Sequence, residues 1–342
     1  MKIIINKANE SLKIDINRKL ILPYAVGGLM YSPAIRTDIA DMVITKKYKY
    51  LHSLAICLED SIPDCSVEAA EKQLAETFRK LEKAAEYANI QDLPMLFVRV
   101  RSAEQLIRVY DSIKGSKLLT GFILPKFDTS NACEYINALK QLNTASRTVY
   151  AMPIIESAAA AYAASRIPEL KEIKSAADSI SDIILNIRTG GNDFCNLYGL
   201  RRSINNTIYD ISVIRDILSD IINIFGRDYI VSAPVWEYFS SSTDNCWEIG
   251  LRREIRMDKL NGFIGKTVIH PSQLRIVAEE MKVSVSDYND ALKILSHDST
   301  SAVSKSSAGN RMNEVKVHTS WAERILNLAS IYGIREDIIT AD

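Results

Sequence analysis

The chain has 342 residues, and its 42 lysines and arginines are matched by 42 aspartates and glutamates, so the formal net charge is zero. That balance supplies no basic field for nucleic acid or an anionic membrane, and no apolar run approaches the ~18 residues of a membrane span. The five cysteines (Cys57, Cys65, Cys133, Cys195, Cys246) lack C-x-x-C spacing and the four histidines lack metal-pair spacing, which argues against a disulfide frame or a zinc site.

Taken in order, residues 1–27 mix apolar and charged side chains and are expected to form a leader packed on the body. Their apolar part is too short for a signal peptide, so a cytoplasmic protein is expected. Strands are expected at 28–33, 54–58, 95–98, 121–124, 149–155, 182–187, 229–232 and 262–269. Between them, apolar spacing near 3.6 predicts helices at 38–47, 67–89, 103–113, 129–142, 208–225 and 246–260. An alanine-rich helix comes after Ser157, and Pro168 is expected to start another. Strand and helix alternate eight times, which is the pattern of an α/β protein of the (β/α)₈ TIM-barrel class. A doubly wound sheet is the structural alternative. The barrel domain is expected over 28–282. A C-terminal helical extension over 283–342 carries helices at 285–296 and 320–332, with a polar linker or lid at 299–310.

In a barrel, residues just past the strands share one rim. Here they are Glu59 and Asp60, Arg99, Lys126, Glu156, Asp193 and Glu237. Clustered carboxylates without a Cys or His pair favour a hard cation, Mg²⁺ or Mn²⁺, which keeps sites free for substrate. A metal beside an arginine can carry the charge of an enolate. Each residue also has a bland role. Glu59, Asp60 and Asp193 are possible helix caps. Arg99 and Lys126 are possible ion-pair partners. Glu237 is read as solvent-facing, His270 as a helix-start hydrogen-bonder, and Trp236 and Trp247 as packing.

At these same residues the chain resembles the HpcH/HpaI aldolase–citrate lyase β-subunit family, which includes malyl-CoA lyase-like enzymes. The matching pieces are Cys57-Leu-Glu-Asp-Ser61, Val98-Arg-Val100, Leu124-Pro-Lys126, Pro153-Ile-Ile-Glu-Ser157, Gly190-Gly-Asn-Asp-Phe194 with Leu200-Arg-Arg202, and Gly262-Phe-Ile-Gly-Lys-Thr-Val-Ile-His-Pro-Ser-Gln273. The resemblance implies a TIM barrel, a divalent metal and a homo-oligomer, often a trimer or hexamer. Carried over, it makes Glu156 and Asp193 the metal ligands and Arg99 the arginine on the substrate carboxylate or enolate oxygen. Asp60, with Glu59, becomes the acid that holds metal waters and Arg99, and Lys126 a rim lysine of open role. The chain departs from the pattern at Leu197, where CoA-using members carry an acid. It departs again at 312–318, which lacks the family's Asp-Pro, and at Tyr31-Ser-Pro-Ala. A divergent branch with a different small-molecule substrate is implied.

The expected function is Mg²⁺-dependent carbon–carbon bond cleavage of aldol or Claisen type, through a metal-stabilised enolate. The substrate would be a 2-oxo acid, a hydroxy acid or an acyl-thioester-like compound. The base stays open between metal-bound water, Glu59/Asp60 and a residue of a neighbouring subunit. Two rival readings remain: a Schiff-base aldolase using Lys126, and a non-catalytic small-molecule-binding barrel.

Overall fold

Eight parallel strands carry the molecule: β1 Gly28–Pro33, β2 Ser53–Cys57, β3 Met95–Arg99, β4 Leu119–Leu124, β5 Tyr150–Ile155, β6 Ile187–Thr189, β7 Val231–Ser232 and β8 Lys266–Val268. They are seen in a computed structural model that describes residues 18–86, 93–240, 244–296, 303–307, 309 and 311–336. The strands pair in the order β7-β6-β5-β4-β3-β2-β1-β8. A parallel bridge between Ala233 and Lys266 joins the two ends, backed by Ile264 N–H donating to the Val231 carbonyl at 2.8 Å. The sheet is therefore closed into a (β/α)₈ barrel. β2 and β3 are buried at every position, as expected of strands covered on both faces.

The covering helices are built by amphipathic spacing. In Ser212–Phe225 the buried residues are Ile214, Ile217, Leu218, Ile221 and Phe225, one stripe of a 3.6-residue period. In Val67–Ala85 they are Ala70, Leu74, Thr77, Phe78 and Leu81. Ser102 and Ser157 cap their helices by accepting from Gln105 N–H at 3.2 Å and Ala160 N–H at 3.3 Å.

Two local expectations are corrected. Pro168 does not start a helix; it lies inside Ala163–Asp178. The break falls at Tyr162, whose backbone is extended at φ −72° and ψ 123°. The sixth strand also lies later than expected. Ser181–Ile183 is a 3-10 turn, and β6 begins at Ile187, so Arg188 is a strand residue.

The chain divides into two compact units, one of residues 26–277 and one of residues 278 onward together with the segment before 26. The second unit contains helices Arg18–Ala25, Val285–Ser296 and Val315–Tyr332. Ala291, Ile294 and Ala322 form its core, with Trp321, Ile325 and Leu326 against it. Tyr332 Oη donates to the Tyr24 carbonyl at 2.7 Å, which ties Arg18–Ala25 to this unit. Residues 1–17 of the expected leader lie outside the described residues. So do 299–302, 308 and 310 of the expected polar linker. Within that linker, Val303–Lys305 pairs antiparallel with Met312–Glu314 as a hairpin. Among the described residues, no helix is long and apolar enough to cross a membrane.

Candidate active site

The rim is built from the residues at and just past the carboxyl end of each strand. Arg99 ends β3 in register with Cys57 at the end of β2. The turn after β2 is pinned by Arg101, whose Nε donates to the Leu58 carbonyl at 2.7 Å and whose Nη1 meets Asp64 Oδ1 at 2.5 Å. Its Nη2 also donates to the Ile62 carbonyl. That clamp fixes Glu59 and Asp60 in front of Arg99. Arg99 Nη2 lies 2.6 Å from Glu59 Oε2, 3.0 Å from Asp60 Oδ2 and 3.5 Å from Glu156 Oε1. Glu59 accepts twice more, from Asp60 N–H at 2.8 Å and from Lys126 Nζ at 2.7 Å.

Lys126 binds with both of its ends. Its backbone N–H donates to Glu156 Oε1 at 2.9 Å, and its amine sits on Glu59 and, at 3.5 Å, on Asp60. The backbone is left-handed there, φ +48°, which a side-chain-bearing residue adopts at a cost. Glu156 comes directly after β5 and is 5% exposed. It packs against Gly190, where an added Cβ would come within 2.2 Å of Glu156 Oε2. At Gly191 an added Cβ would lie 2.7 Å from Pro234. The two glycines therefore do more than turn the chain: they let it pass close enough to bring Asp193 to the same cavity as Glu156. Ser157 takes the capping role beside Glu156, which leaves that carboxylate free for other work.

The Glu156 carboxyl is raised to about 8, chiefly by burial, with Asp193 and Glu59 also raising it while Arg99 and the Lys126 N–H oppose. Burial also acts to raise Asp60, yet Arg99, Glu59 and Lys126 hold it below the usual carboxylate value. Burial acts to lower the Lys126 amine, but Glu59, Asp60 and Glu156 raise it overall. The amine is therefore charged at neutral pH. All six expected residues converge on this rim. Arg99, Asp60, Glu156 and Asp193 line one cavity of about 370 Å³, and Glu59 and Lys126 stand behind them. Among the described residues, no group of three or more His, Cys, Asp or Glu side chains is placed to hold a metal. The pair that could hold one is Glu156 and Asp193, two hard oxygen donors that leave the remaining positions of Mg²⁺ to water and substrate.

A family model described as a C-C bond lyase of the TIM-barrel fold matches residues 20–334. The chain belongs to this family of carbon–carbon lyases. Among solved structures the lyase is similar to the CitE protein of Mycobacterium tuberculosis in complex with magnesium, acetoacetate and coenzyme A. The identity is 21%, the TM-score 0.60, and the match covers 90% of this chain and 99% of that one. A citrate lyase beta subunit of M. tuberculosis complexed with oxaloacetate and magnesium gives 21% and 0.51, over 76% and 98% of the two chains. RipC of Yersinia pestis gives 16% and 0.50, over 75% and 95%. At these identities the likeness is one of fold. No curated protein matches the lyase in sequence.

The lyase's cavity holds residues that sequence reasoning passed over. Tyr31, Ser32, Arg188 and Thr267 all line it. Arg188 Nη2 donates to Thr267 Oγ1 at 2.7 Å, while its Nε and Nη1 are buried without a hydrogen-bond partner. Arg99 lies over the Tyr31 ring, 5.8 Å from its centroid. A signal was present. Arg188 comes directly after the span expected as the sixth strand, the same position that singled out the rim acids. Glu237, left outside the site, is 3.4 Å from Arg201. His270 accepts from Ser272 N–H at 3.2 Å at a helix start, and Trp236 donates to the Trp247 carbonyl at 3.2 Å in the interior.

Proposed function

We propose that this lyase makes and breaks a carbon–carbon bond next to the carbonyl of a 2-oxo acid, hydroxy acid or acyl-thioester-like substrate, with Mg²⁺ held by Glu156 and Asp193. The observation that carries this reading is the pairing of those two carboxylates with Arg99 around one cavity. The M. tuberculosis relatives in complex with magnesium and oxaloacetate or pyruvate support it by analogy. When bound, the metal would act as a Lewis acid that fixes the chelating carbonyl and carboxylate and takes up developing negative charge.

The chain's own residues do the rest. As the bond breaks, its electron pair moves toward the carbonyl, and the oxygen gains charge. Arg99 donates to that oxygen or to the neighbouring carboxylate, and its Nε has no hydrogen-bond partner among the described residues. Glu59 and Asp60 hold the guanidinium, so it need not reorganise during the reaction. Lys126 stays an ammonium tied to Glu59 and Asp60, which leaves no lone pair for a Schiff base. Its role is to hold Glu59 with its amine and Glu156 with its N–H. We place the protein in the cytoplasm as a homo-oligomer, a trimer or hexamer by the family resemblance.

Mn²⁺ titration followed by electron paramagnetic resonance tests the metal reading. Glu156→Ala and Asp193→Ala should each weaken binding by well over ~10-fold. Wild-type affinity in both variants would overturn the assignment.

A further inference from the structure

Arg188 is a buried cation without a carboxylate partner among the described residues. Among the described residues the buried cationic side chains are Arg99, Arg166, Arg188, Arg202 and Lys266. Four of them lie close to a carboxylate: Arg99 2.6 Å from Glu59, Arg166 2.9 Å from Asp220, Arg202 3.6 Å from Glu254, and Lys266 2.7 Å from Glu254. Arg188, at 1% exposure, donates to the neutral hydroxyl of Thr267 and lies beside the phenol of Tyr31. Burial keeps that phenol protonated, although Arg188 and Arg99 both act to lower it. The remaining charge acting on Arg188 is that of Arg99, which repels it. A guanidinium taken out of water is costly unless an anion meets it.

The direction in which that anion would come is set by the cavity. Arg188 Nε and Nη1 and Ser32 Oγ are all buried, unpaired and on residues that line it. Nη2 is anchored on Thr267 across the barrel, from β6 to β8, which fixes the plane of the fork. Nη1 and the second N–H of Nη2 form the end-on edge of the planar guanidinium, which matches a carboxylate or a similar oxyanion. We propose that Arg188 receives an anionic group of the substrate, a second carboxylate or equivalent oxyanion, distinct from the end that Arg99 and the Glu156–Asp193 pair engage. The substrate class is thereby narrowed to small dianions. The second half of this statement rests on the function proposed above; the anion site at Arg188 does not.

Isothermal titration of the full chain with matched acids tests it. Succinate is compared with acetate, and 2-oxoglutarate with pyruvate, each with Mg²⁺ and with EDTA. The wild type should bind each dicarboxylate at least ~10-fold more tightly than its monocarboxylate partner, since one good charge-assisted pair is worth about that much. Arg188→Met should abolish the preference, with dicarboxylate binding falling on the order of 100-fold and pyruvate unchanged. Arg188→Lys keeps the charge but not the fork and should fall between. The ligand-free Arg188→Met protein should melt no lower than wild type, because an uncompensated charge has been removed. Thr267→Val, a gentler change, should reduce the preference without abolishing it.

An absence of preference in the wild type would overturn the proposal. Equal losses for mono- and dicarboxylates would do so too, as would a lowered melting temperature in Arg188→Met with the preference retained. Mn²⁺ binding in the same variants separates the two ideas. If Arg188→Met binds Mn²⁺ normally and shows no change in preference, Arg188 is wrong and the metal pair stands. If the wild type prefers succinate in EDTA yet binds no Mn²⁺, the reverse holds.

Discussion

Two clusters of opposite charges sit in the barrel, and they differ in what they leave unpaired. The rim cluster holds Glu59, Asp60, Arg99, Lys126, Glu156 and Asp193. The other lies between β8 and the helix Cys246–Leu260, which presents Glu254 and Asp258 four residues apart on its buried face. Lys266 Nζ lies 2.7 Å from Glu254 Oε1 and 2.8 Å from Asp258 Oδ2. The other two oxygens are also filled, Glu254 Oε2 by Ile208 N–H at 2.8 Å and Asp258 Oδ1 by Tyr209 Oη at 2.8 Å. None of these three charged groups is exposed. Every carboxylate oxygen has its donor inside the protein and Arg202 adds a second cation 3.6 Å from Glu254, so this cluster holds β8 to its helix. At the rim, Arg99 Nε is buried without a hydrogen-bond partner among the described residues, and Asp193 lines the cavity beside it. Charges that the protein leaves partly unpaired around a cavity are the ones available to a ligand.

The largest effect should come from breaking the closed cluster. Lys266→Met leaves Asp258 without its cation and Glu254 with only the longer Arg202 contact at 3.6 Å, and should cost about 3–5 kcal/mol of stability by urea denaturation. At the rim the balance is reversed. Arg99→Lys keeps a charge against Glu59 and Asp60 but loses the fork, so melting should change little. Mg²⁺-dependent deuterium exchange into the methyl group of pyruvate, followed by NMR, should slow on the order of 100-fold.

The smallest effect is one of pH. Glu156 is raised from its usual 4.5 to about 8, so the metal-free folded protein holds a proton there that the unfolded chain has released. Stability of the metal-free protein should therefore fall as pH rises from 4.5 toward 8. Mn²⁺ affinity should rise over the upper part of that range and level off above about 8, because the metal must displace that proton. A Mn²⁺ affinity flat across pH 6–9 would break the contrast between the two clusters from the rim side.

Legibility in the sequence divides along the same line. The helix over 246–260 was readable to the residue, since its apolar stripe and flanks agree. The rim was readable because a carboxylate placed after an apolar run is a local pattern. The Lys266 cluster was not. Its three charges come from a strand and a helix, and a charged side chain at 0% exposure contradicts the rule that polar positions face water. Arg188 was missed for a reason of register. The run 182–187 is apolar enough to pass as a strand, but its first residues close a 3-10 turn. The pairing of Ile154 with Arg188 places the guanidinium within the strand. The division of the chain after 277 was also hidden, because Ser272–Glu280 runs through it as one helix.

The left-handed backbone at Lys126 has a consequence for how this rim can drift by mutation. A glycine there would relax the main chain by about 1 kcal/mol and still present an N–H to Glu156. It would lose the amine that sits on Glu59 and Asp60. Relief of the left-handed backbone and loss of the amine's ion pairs therefore oppose each other at this position. Lys126→Gly should change stability little while it removes the cation that holds Glu59.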